Sequence, residues 1–536
     1  MADLFDDYPL SAAYDEMLDR DNGVRPRYAP VHGTLASLTA SEVAARADAL
    51  ARSYLAQGVT FDFAGEERPF PLDVVPRVIE PGEWDTVARG VAQRVRALEA
   101  FLADVYGPQQ AVKDGVVPLR LILSSAEFKR AAHGIEPPNG VRCHVSGIDI
   151  VRDAAGEYRV LEDNVRVPSG VSYVVSNRQA MVRTFPELFS SMRVRPVVDY
   201  PRRLLAALAA AAPEGVPDPT VVVLTPGVYN SAYYEHALLA RLMGVELVEG
   251  RDLFCSAGRV FMRTTEGPRR VDVIYRRVDD DFLDPLQFRA DSALGVPGLV
   301  GCARRGQVTL ANAIGNGVAD DKLVYTYVPD LVRYYLGEEP LIKNVDTWRL
   351  QEPEALAEVL DRLDELVVKP VDGSGGKGIV VGPDASRAEL DALRARLVAD
   401  PRGWIAQPVI QLSTAPTFVD GGFRPRHIDL RPFAVNDGED VWVLPGGLTR
   451  VALPEGQLVV NSSQGGGSKD TWVLEGRPRR GRAAAHPATS ESGRGAHPAG
   501  VTAAGVPLTT NPADVRTSQQ QQQQQSTIDL RGAVPC

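Results

Sequence analysis

The fold is decided by the stretch Val367-Val-Lys-Pro-Val-Asp-Gly-Ser-Gly-Gly-Lys-Gly378. The apolar run before Lys369 predicts a buried strand, and Pro370 ends its ladder of backbone hydrogen bonds. The four glycines that follow let backbone N–H groups converge on an anion, because glycine has no Cβ. Lys369 precedes these glycines and Lys377 lies among them, so the pattern predicts a loop that holds a polyphosphate from two sides. A flexible surface turn is the alternative interpretation of the loop alone.

Composition limits the classes of protein that the whole chain can be. A length of 536 residues is enough for two or three domains, and 44% hydrophobic with 24% charged residues is typical of a soluble globular protein. A net charge of −11 argues against general nucleic-acid binding. We expect no membrane span, no signal peptide and therefore a cytoplasmic protein. The four cysteines form no CxxC pair, so neither a zinc site nor a disulfide framework is expected.

A strand–helix–strand pattern in the middle of the chain predicts a Rossmann-like unit. Apolar runs at Thr220–Gly227 and Val245–Val248 flank a helical pattern at Glu235–Met243, and a further buried strand follows at Val271–Tyr275. Arg276 and Arg277 come directly after that strand, at the kind of edge where open α/β sheets bind ligands. They are candidate substrate-binding residues; a surface ion network is the alternative interpretation.

Alternating residues at Val141–Arg152 and Glu157–Asn164 predict a β-hairpin whose turn is formed by residues 153–156. If residue 152 faces residue 157, Asp149 faces Val160 and Glu162 is its diagonal neighbour. Asp149, Glu162 and Asn164 then share one face of the hairpin. Two carboxylates and an amide oxygen suit Mg²⁺, which prefers oxygen ligands. A solvated strand face is the alternative interpretation.

The last 60 residues have a different composition. Residues 477–536 contain no Phe, Trp or Tyr, hold seven Arg against three acidic residues, and include a run of glutamines at Gln519–Gln525. We predict a disordered tail with too little apolar surface to fold, whose removal leaves melting temperature and ligand affinity nearly unchanged. A protein partner that binds the tail is the alternative interpretation.

Two motifs carry a resemblance to a known family. Asp149 with Glu162-x-Asn164-x-x-x-Pro-Ser-Gly resembles the magnesium hairpin of ATP-grasp ligases, and Lys369-Pro-x-x-Gly-Ser-Gly-Gly-x-Gly resembles their phosphate-covering loop. The lysine loop lies about 200 residues after the hairpin, whereas in ordinary ATP-grasp enzymes it comes first. The chain over about 83–474 is therefore similar to the circularly permuted type 2 ATP-grasp proteins, which are relatives of glutathionylspermidine synthetase.

The resemblance implies a mixed α/β (α+β) fold, a circularly permuted ATP-grasp with an inserted Rossmann-like unit and a disordered C-terminal tail. The expected divisions are an N-terminal helical and extended region at 1–82, a magnesium-ligand lobe at 83–200, the Rossmann-like unit at 201–340, a nucleotide-binding lobe at 341–476 and the tail at 477–536.

The resemblance also implies ATP and Mg²⁺ as cofactors and assigns the following site residues. Metal ligands are Asp149, Glu162 and Asn164; nucleotide-binding residues are Lys343, Lys369, Gly373, Ser374, Gly375, Gly376, Lys377, Gly378, Gln407 and Val409; catalytic residues are Lys369, Arg431 and Arg450; substrate candidates are Arg166, Ser169, Arg276, Arg277, Asn461 and Gly466. Ordinary surface or ion-pair roles are the alternative for the lysines and arginines.

The implied activity is ATP-dependent ligation of a carboxylate to an amine through an acyl phosphate. The expected partners are a small-molecule or peptide carboxylate and an amine. A catalytically silent ATP-binding scaffold and a phosphotransferase are the alternatives. One ATP must touch both motifs, so we predict that the hairpin face and the Lys369 loop converge on one cleft.

Overall fold

A computed structural model describes residues 4–63, 66–372, 378–458, 460, 466–476 and 520–524. Five predicted nucleotide-binding residues (Gly373, Ser374, Gly375, Gly376 and Lys377), the substrate candidate Asn461 and most of the predicted tail lie outside these described residues. Within the described part of the chain, no helix is both long and apolar enough to cross a membrane.

The α-helices of the described residues are, in chain order, α1 Ala29–Ala36, α2 Ala40–Gln57, α3 Pro81–Val105, α4 Gln110–Lys113, α5 Leu119–Leu123, α6 Val171–Thr184, α7 Pro186–Ser191, α8 Tyr200–Ala210, α9 Tyr233–Met243, α10 Asp280–Leu283, α11 Leu299–Arg304, α12 Lys322–Tyr325, α13 Val328–Leu336, α14 Pro353–Asp361 and α15 Arg387–Ala399.

The strands are β1 Thr60–Phe63, β2 Glu66–Pro69, β3 Arg77–Ile79, β4 Val145–Arg152, β5 Tyr158–Asn164, β6 Val221–Leu224, β7 Glu246–Val248, β8 Leu253–Ser256, β9 Arg259–Thr264, β10 Gly267–Val271, β11 Val273–Arg276, β12 Thr309–Ala311, β13 Lys343–Asn344, β14 Trp348–Arg349, β15 Leu366–Pro370, β16 Val380–Val381, β17 Trp404–Pro408, β18 Thr414–Val419, β19 Gly422–His427, β20 Phe433–Asn436, β21 Val441–Val443, β22 Thr449–Val451, β23 Gly467–Lys469 and β24 Thr471–Val473.

The predicted hairpin is the centre of a five-stranded sheet with the order β13-β5-β4-β20-β21. The predicted register is wrong by one residue: Arg152 pairs with Tyr158 and not with Glu157, and Val160 pairs with Ile150 and not with Asp149. An irregularity then shifts the register, so that Asp149 pairs with Glu162. The extra residue of such a bulge re-aims the side chains that follow it. As a result Asp149 and Glu162 lie directly opposite each other on one face.

The predicted Rossmann-like unit is confirmed as a parallel sheet with the order β12-β11-β6-β7. The run of β-branched residues in β6 is buried, as expected for a strand covered on both faces. Helices α8 and α9 contribute Leu204 and Leu239 to a core that also contains Phe433 of β20. The apolar core of this unit is therefore continuous with that of the hairpin sheet.

The strand that ends at Lys369 belongs to a separate sheet with the order β14-β17-β15-β16. Helices α14 and α15 supply Val359 and Leu393 to a core that includes Val368 of β15. The division at 341–476 stays a prediction, but the chain after β17 leaves this sheet, since β20 hydrogen-bonds to β4 and β24 to β3. Backbone pairing therefore returns the chain after β17 to the hairpin sheet and the N-terminal region.

A short helical segment at 520–524 lies against the Rossmann-like unit. Gln521 and Gln522 are only 3% and 6% exposed. For these five residues, the prediction that the tail has nothing to pack against is wrong. Their amide side chains are held by hydrogen bonds, which hydrophobicity alone does not reveal.

Candidate active site

The hairpin and the chain that follows β15 converge on one cleft of about 520 Å³. Residues from both predicted motifs line this cleft, among them Glu162 and Asn164 from β5, and Val371 and Asp372 from the segment after Lys369. Further polar and charged side chains that line the cleft are those of Glu127, Arg166, Ser169, Asp320, Lys322, Arg402, Arg431 and Arg450. The predicted convergence of the two motifs on a shared cleft agrees with this arrangement.

Two arginines are fixed to the cleft wall by a buried carboxylate. Arg431 donates through Nε and Nη2 to both oxygens of Asp149, and Arg450 Nη2 lies 2.6 Å from Asp149 Oδ2. Burial alone would raise the pKa of Asp149, but Arg431 and Arg450 hold that pKa well below its usual range. Arg450 is also bound by Asp429. Both guanidiniums are therefore held in place before any ligand arrives.

Glu162 and Asn164 have the chemistry of magnesium ligands. The side chain of Glu162 is 30% exposed, and its carboxylate lies 3.9 Å from both Arg431 Nη2 and Lys322 Nζ. Asn164 Nδ2 is buried and donates no hydrogen bond among the described residues. The Asn164 amide group can be turned over so that its oxygen takes the place of the unpaired nitrogen. One carboxylate, one amide oxygen and substrate phosphates fit Mg²⁺.

Asp149 is placed differently from the other two predicted ligands. Both of its oxygens are engaged by arginines, and its side chain is fully buried. Among the described residues, no group of three or more His, Cys, Asp or Glu side chains could hold a metal ion. The arrangement therefore fits a metal held by Glu162 and Asn164, with Asp149 as the anchor of the two arginines.

Lys369 lies at the end of β15, as the sequence predicts. Its Nζ donates to Gln407 Oε1 at 2.7 Å, and Gln407 Nε2 donates to Thr347 Oγ1 at 3.0 Å. Burial lowers the pKa of Lys369 to about 8; the charges of Glu162 and Asp149 oppose this shift and that of Lys322 adds to it. The Gln407 side chain thus orients the lysine, while Val409 follows directly after β17.

Of the remaining nucleotide-binding candidates, Lys343 lies away from the cleft and Gly378 lies beside the end of β15. Lys343 is exposed on β13, beside Arg159, and does not line the cleft. Gly378 has φ +73°, and a Cβ there would lie 3.2 Å from Pro370 Cγ. This left-handed conformation and close approach favour glycine, and they place the end of the glycine-rich loop against the end of β15.

Arg166 lies among three carboxylates at the other end of the cleft. It is 2.9 Å from Glu127, 3.2 Å from Asp279 and 3.9 Å from Asp320. Burial raises the pKa of Asp320 to about 7, while Arg166 opposes that shift. Glu127, Asp320, Lys322 and Arg402 were not predicted from the sequence. No motif marks these four residues, and only tertiary contacts bring them to the cleft.

Arg276, the last residue of β11, and Arg277, which follows it, are both bound within the protein, and their role in substrate binding stays a prediction. Arg276 is 1% exposed, and its guanidinium donates to the carbonyl oxygens of Asn312, Val278 and Ala313. Arg277 is also buried and donates to Ser169 Oγ and Glu235. Both guanidiniums are thus used within the protein, where they hold loops together.

The loop that carries Ser169 is held by a buried carboxylate. Glu235 Oε2 accepts from the N–H groups of Gly170 and Ser172, at 2.7 and 3.0 Å. Ser169 lines the cleft and remains a substrate candidate. Gly466 is buried just before β23, and its role in substrate binding stays a prediction.

The fold and the cleft together define an ATP-grasp architecture, in which the sheet that contains β15 faces the β4–β5 hairpin across the cleft. Residues 76–452 match the family described as "Circularly permuted ATP-grasp type 2". The chain belongs to this family.

Relatives of this chain occur in several bacteria. An uncharacterized protein of Mycobacterium tuberculosis is 63% identical over 465 residues, which cover 87% of this chain and 84% of that protein. An uncharacterized protein of Synechocystis is 51% identical, covering 86% of this chain and 97% of that protein. A Frankia alni protein named putative glutamate–cysteine ligase 2-3 is 46% identical, covering 88% of this chain but 54% of that protein.

A solved structure shares the fold. The apo form of a glutathione synthetase-like effector from Globodera pallida aligns with a TM-score of 0.55 at 10% identity, covering 82% of this chain and 98% of that one. The family and the ligase name among its relatives support an ATP-dependent ligase as the general class of activity.

Proposed function

We propose that this protein uses Mg²⁺-ATP to join a carboxylate to an amine through an acyl phosphate. The observation that carries the proposal is the single cleft that joins Glu162 and Asn164 to Arg431, Arg450 and the chain after Lys369. A triphosphate with its metal needs oxygen ligands on one side and cations on the other. This cleft offers both.

The first step is the attack of a substrate carboxylate oxygen on the γ-phosphorus of ATP. The bond from that phosphorus to the β–γ bridging oxygen breaks, and ADP leaves. Lys369, Arg431 and Arg450 are the cations that face the negative charge on the γ-phosphoryl oxygens. A magnesium ion held by Glu162 and Asn164 would neutralise phosphate charge when bound.

The second step is the attack of an amine nitrogen on the acyl carbon, which forms the C–N bond and releases phosphate. The amine must lose a proton in this step. Asp320 borders the cleft with a pKa raised to about 7, which suits proton transfer near neutral pH. The carboxylates around Arg166 also favour the approach of a cationic amine, since Glu127 and Asp320 both line the cleft.

The substrate class is proposed from the relatives. A protein named putative glutamate–cysteine ligase suggests amino acids or short peptides as the carboxylate and amine. The matched region takes up 54% of that protein, so its named activity is not assigned to the shared half. A cytoplasmic location remains a prediction.

The test combines three measurements on the purified full chain. Pooled amino acids, peptides and polyamines are incubated with Mg²⁺-ATP, phosphate release is followed, and mass spectrometry searches for an amide product. Hydroxylamine is added to a parallel reaction, where a hydroxamate of the carboxylate substrate reports the acyl phosphate. We expect phosphate release that needs a carboxylate, and hydroxamate formation that Lys369→Ala slows by about 10²–10³-fold. Lys113→Ala, a change at an exposed lysine of α4, should not slow it.

The same experiment separates the alternatives. ATP binding without turnover on any pool would favour a silent scaffold. A phosphorylated product with neither amide nor hydroxamate would favour a phosphotransferase. Either result would overturn the ligase proposal.

A further inference from the structure

The glutamine pair of the short C-terminal helix is held by main-chain groups of the Rossmann-like unit. Gln521 Oε1 accepts from the N–H of Ala293 at 2.7 Å, and Gln521 Nε2 donates to the carbonyl oxygen of Asp291 at 2.6 Å. One backbone donor beside one backbone acceptor matches a primary amide. A carboxylate in its place would set a negative oxygen against the Asp291 carbonyl and lose one hydrogen bond.

The neighbouring glutamine enters a second position built around a glycine. Gln522 Oε1 accepts from the N–H of Tyr229 at 3.2 Å. A Cβ on Gly227 would lie 2.5 Å from that oxygen, and Gly227 has φ +122°. Asn230 Nδ2 lies 3.5 Å from the main-chain oxygen of Gln522. The site therefore contacts both the side chain and the backbone of the bound segment.

The position in the fold is one where ligands bind in open α/β sheets. Gly227 and Tyr229 follow β6 at the carboxyl edge of the parallel sheet. The Ala293 loop follows α10, and its residue Arg289 donates its N–H to the carbonyl oxygen of Asp281. The Asp281 carboxylate lies 2.8 Å from Lys129 Nζ, which is 3.8 Å from Glu127 at the cleft. A series of contacts thus links the Ala293 loop to Glu127, which lines the cleft.

We propose that the loops around Gly227–Asn230 and Asp291–Ala293 form a binding site for two adjacent glutamines of a peptide chain. The protein's own Gln521 and Gln522 occupy it, and a separate peptide with consecutive glutamines competes for the same groups. The proposal does not depend on the ligase chemistry, because every contact lies outside the cleft residues assigned to ATP.

The first test measures peptide binding to the full chain. A fluorescein-labelled peptide of five glutamines between pairs of lysines is titrated with wild-type protein and with the variant Gln521→Glu/Gln522→Glu. The variant tail should leave the site, so the peptide should bind the variant about tenfold or more tighter than the wild type. Replacing its glutamines by glutamates should weaken binding to the variant by about 10- to 100-fold, because a buried donor–acceptor match is lost.

The control is the glutamate peptide, which is measured on the same protein, so a difference in folding cannot explain a difference in binding. Gly227→Ala in the tail variant is a second probe, expected to abolish peptide binding while melting temperature is checked in parallel. Equal binding of the glutamine and glutamate peptides, or no binding of the glutamine peptide to the tail variant, would overturn the proposal.

Hydrogen exchange supplies an independent readout of the tail in the full chain. The amides of Tyr229 and Ala293 should exchange more slowly in the wild type than in Gln521→Glu/Gln522→Glu, since each donates to a tail glutamine. Unchanged exchange at both amides would show that the tail does not occupy the site.

Discussion

Arg431 binds both carboxylate oxygens of Asp149, although the two residues are 282 positions apart in the chain. Asp149 comes from the hairpin strand β4, whereas Arg431 precedes β20, the strand that pairs with β4. Their contact fixes a guanidinium at the wall of the cleft. A second guanidinium, that of Arg450, is fixed by the same carboxylate.

Replacing the anchor should damage stability and catalysis together. Asp149→Asn keeps the shape of the side chain but removes the close charge partner of Arg431 and one of the two carboxylates that bind Arg450. We expect unfolding free energy to fall by about 3–5 kcal/mol, measured by urea denaturation, and ATP turnover to drop as well. The control is Arg362→Gln, which removes an exposed partner of Glu358 and should leave the unfolding free energy nearly unchanged. Equal stability of the two variants would contradict the anchoring role.

Removing the exposed cleft carboxylate should remove the metal dependence of ATP binding. Glu162→Ala should bind ATP with similar affinity with and without Mg²⁺, whereas wild-type affinity should rise when Mg²⁺ is added. Calorimetry measures both. Glu157→Ala, at an exposed position near the turn of the same hairpin, is the control and should behave as the wild type. If Glu162→Ala retained the full magnesium effect on binding and turnover, the ligand assignment would be wrong.

Loss of the strand-end lysine should slow the reaction without unfolding the protein. Lys369→Ala should lower kcat by about 10²–10³-fold, a typical loss for one preorganised charge partner. Its melting temperature should stay near that of the wild type, because the removed group mainly contacts Gln407. Steady-state kinetics with the product assay measures the effect, and Lys113→Ala is the matched control. A kcat within twofold of the wild type would exclude a catalytic role.

The lowered pKa of Lys369 predicts proton uptake when ATP binds. With a pKa of about 8, the amine is about half protonated at pH 8 in the free protein, and nearby phosphates favour the charged form. Mg²⁺-ATP binding at pH 8 should therefore take up about half a proton, detected by calorimetry in two buffers of different ionisation enthalpy. In Lys369→Met this uptake should vanish.

The free protein should also gain stability as pH rises from about 8 to 10.5, because the unfolded chain then binds more protons.

A buried histidine should make the protein sensitive to acid. His144 is fully buried, neither ring nitrogen has a hydrogen-bond partner among the described residues, and burial lowers its pKa to about 4. Between pH 6.5 and 4 the unfolded chain binds a proton that the folded chain does not, so stability falls as pH falls. His144→Gln should flatten the fall in melting temperature across that range. His133→Gln, at an exposed position, should leave the slope unchanged.

Several features could be predicted because they depend on neighbours in sequence. Thr39 and Glu42 form a capping box at the start of α2, and the parallel strands around Val223 follow from short apolar runs. The alternation of side chains along a strand placed Asp149 and Glu162 on one face, even though the predicted register was wrong. The irregularity that changes the register lies between Asp149 and Ile150, where Ile150 also forms a bridge to Leu430, far away in the chain.

Other features depend on contacts between residues far apart in the chain. Cys255 and Cys302 look like isolated thiols in the sequence, yet they are neighbours, and a hydrogen bond to Cys302 raises the pKa of Cys255. Arg276 was predicted at a ligand-binding edge, but its guanidinium is bound by four oxygen atoms of the protein itself. Composition along the chain carries no information on which charges find partners.

The sequence by itself determined the class of fold, the hairpin that carries Glu162 and Asn164, and the strand that ends at Lys369, because local patterns of burial and glycine set these elements. Only the tertiary structure decided that Asp149 holds Arg431 and Arg450, that Gln407 orients Lys369, and that Gln521 is buried. These pairings form when separate sheets pack and exclude water, and hydrogen-bond partners are then chosen by position in space.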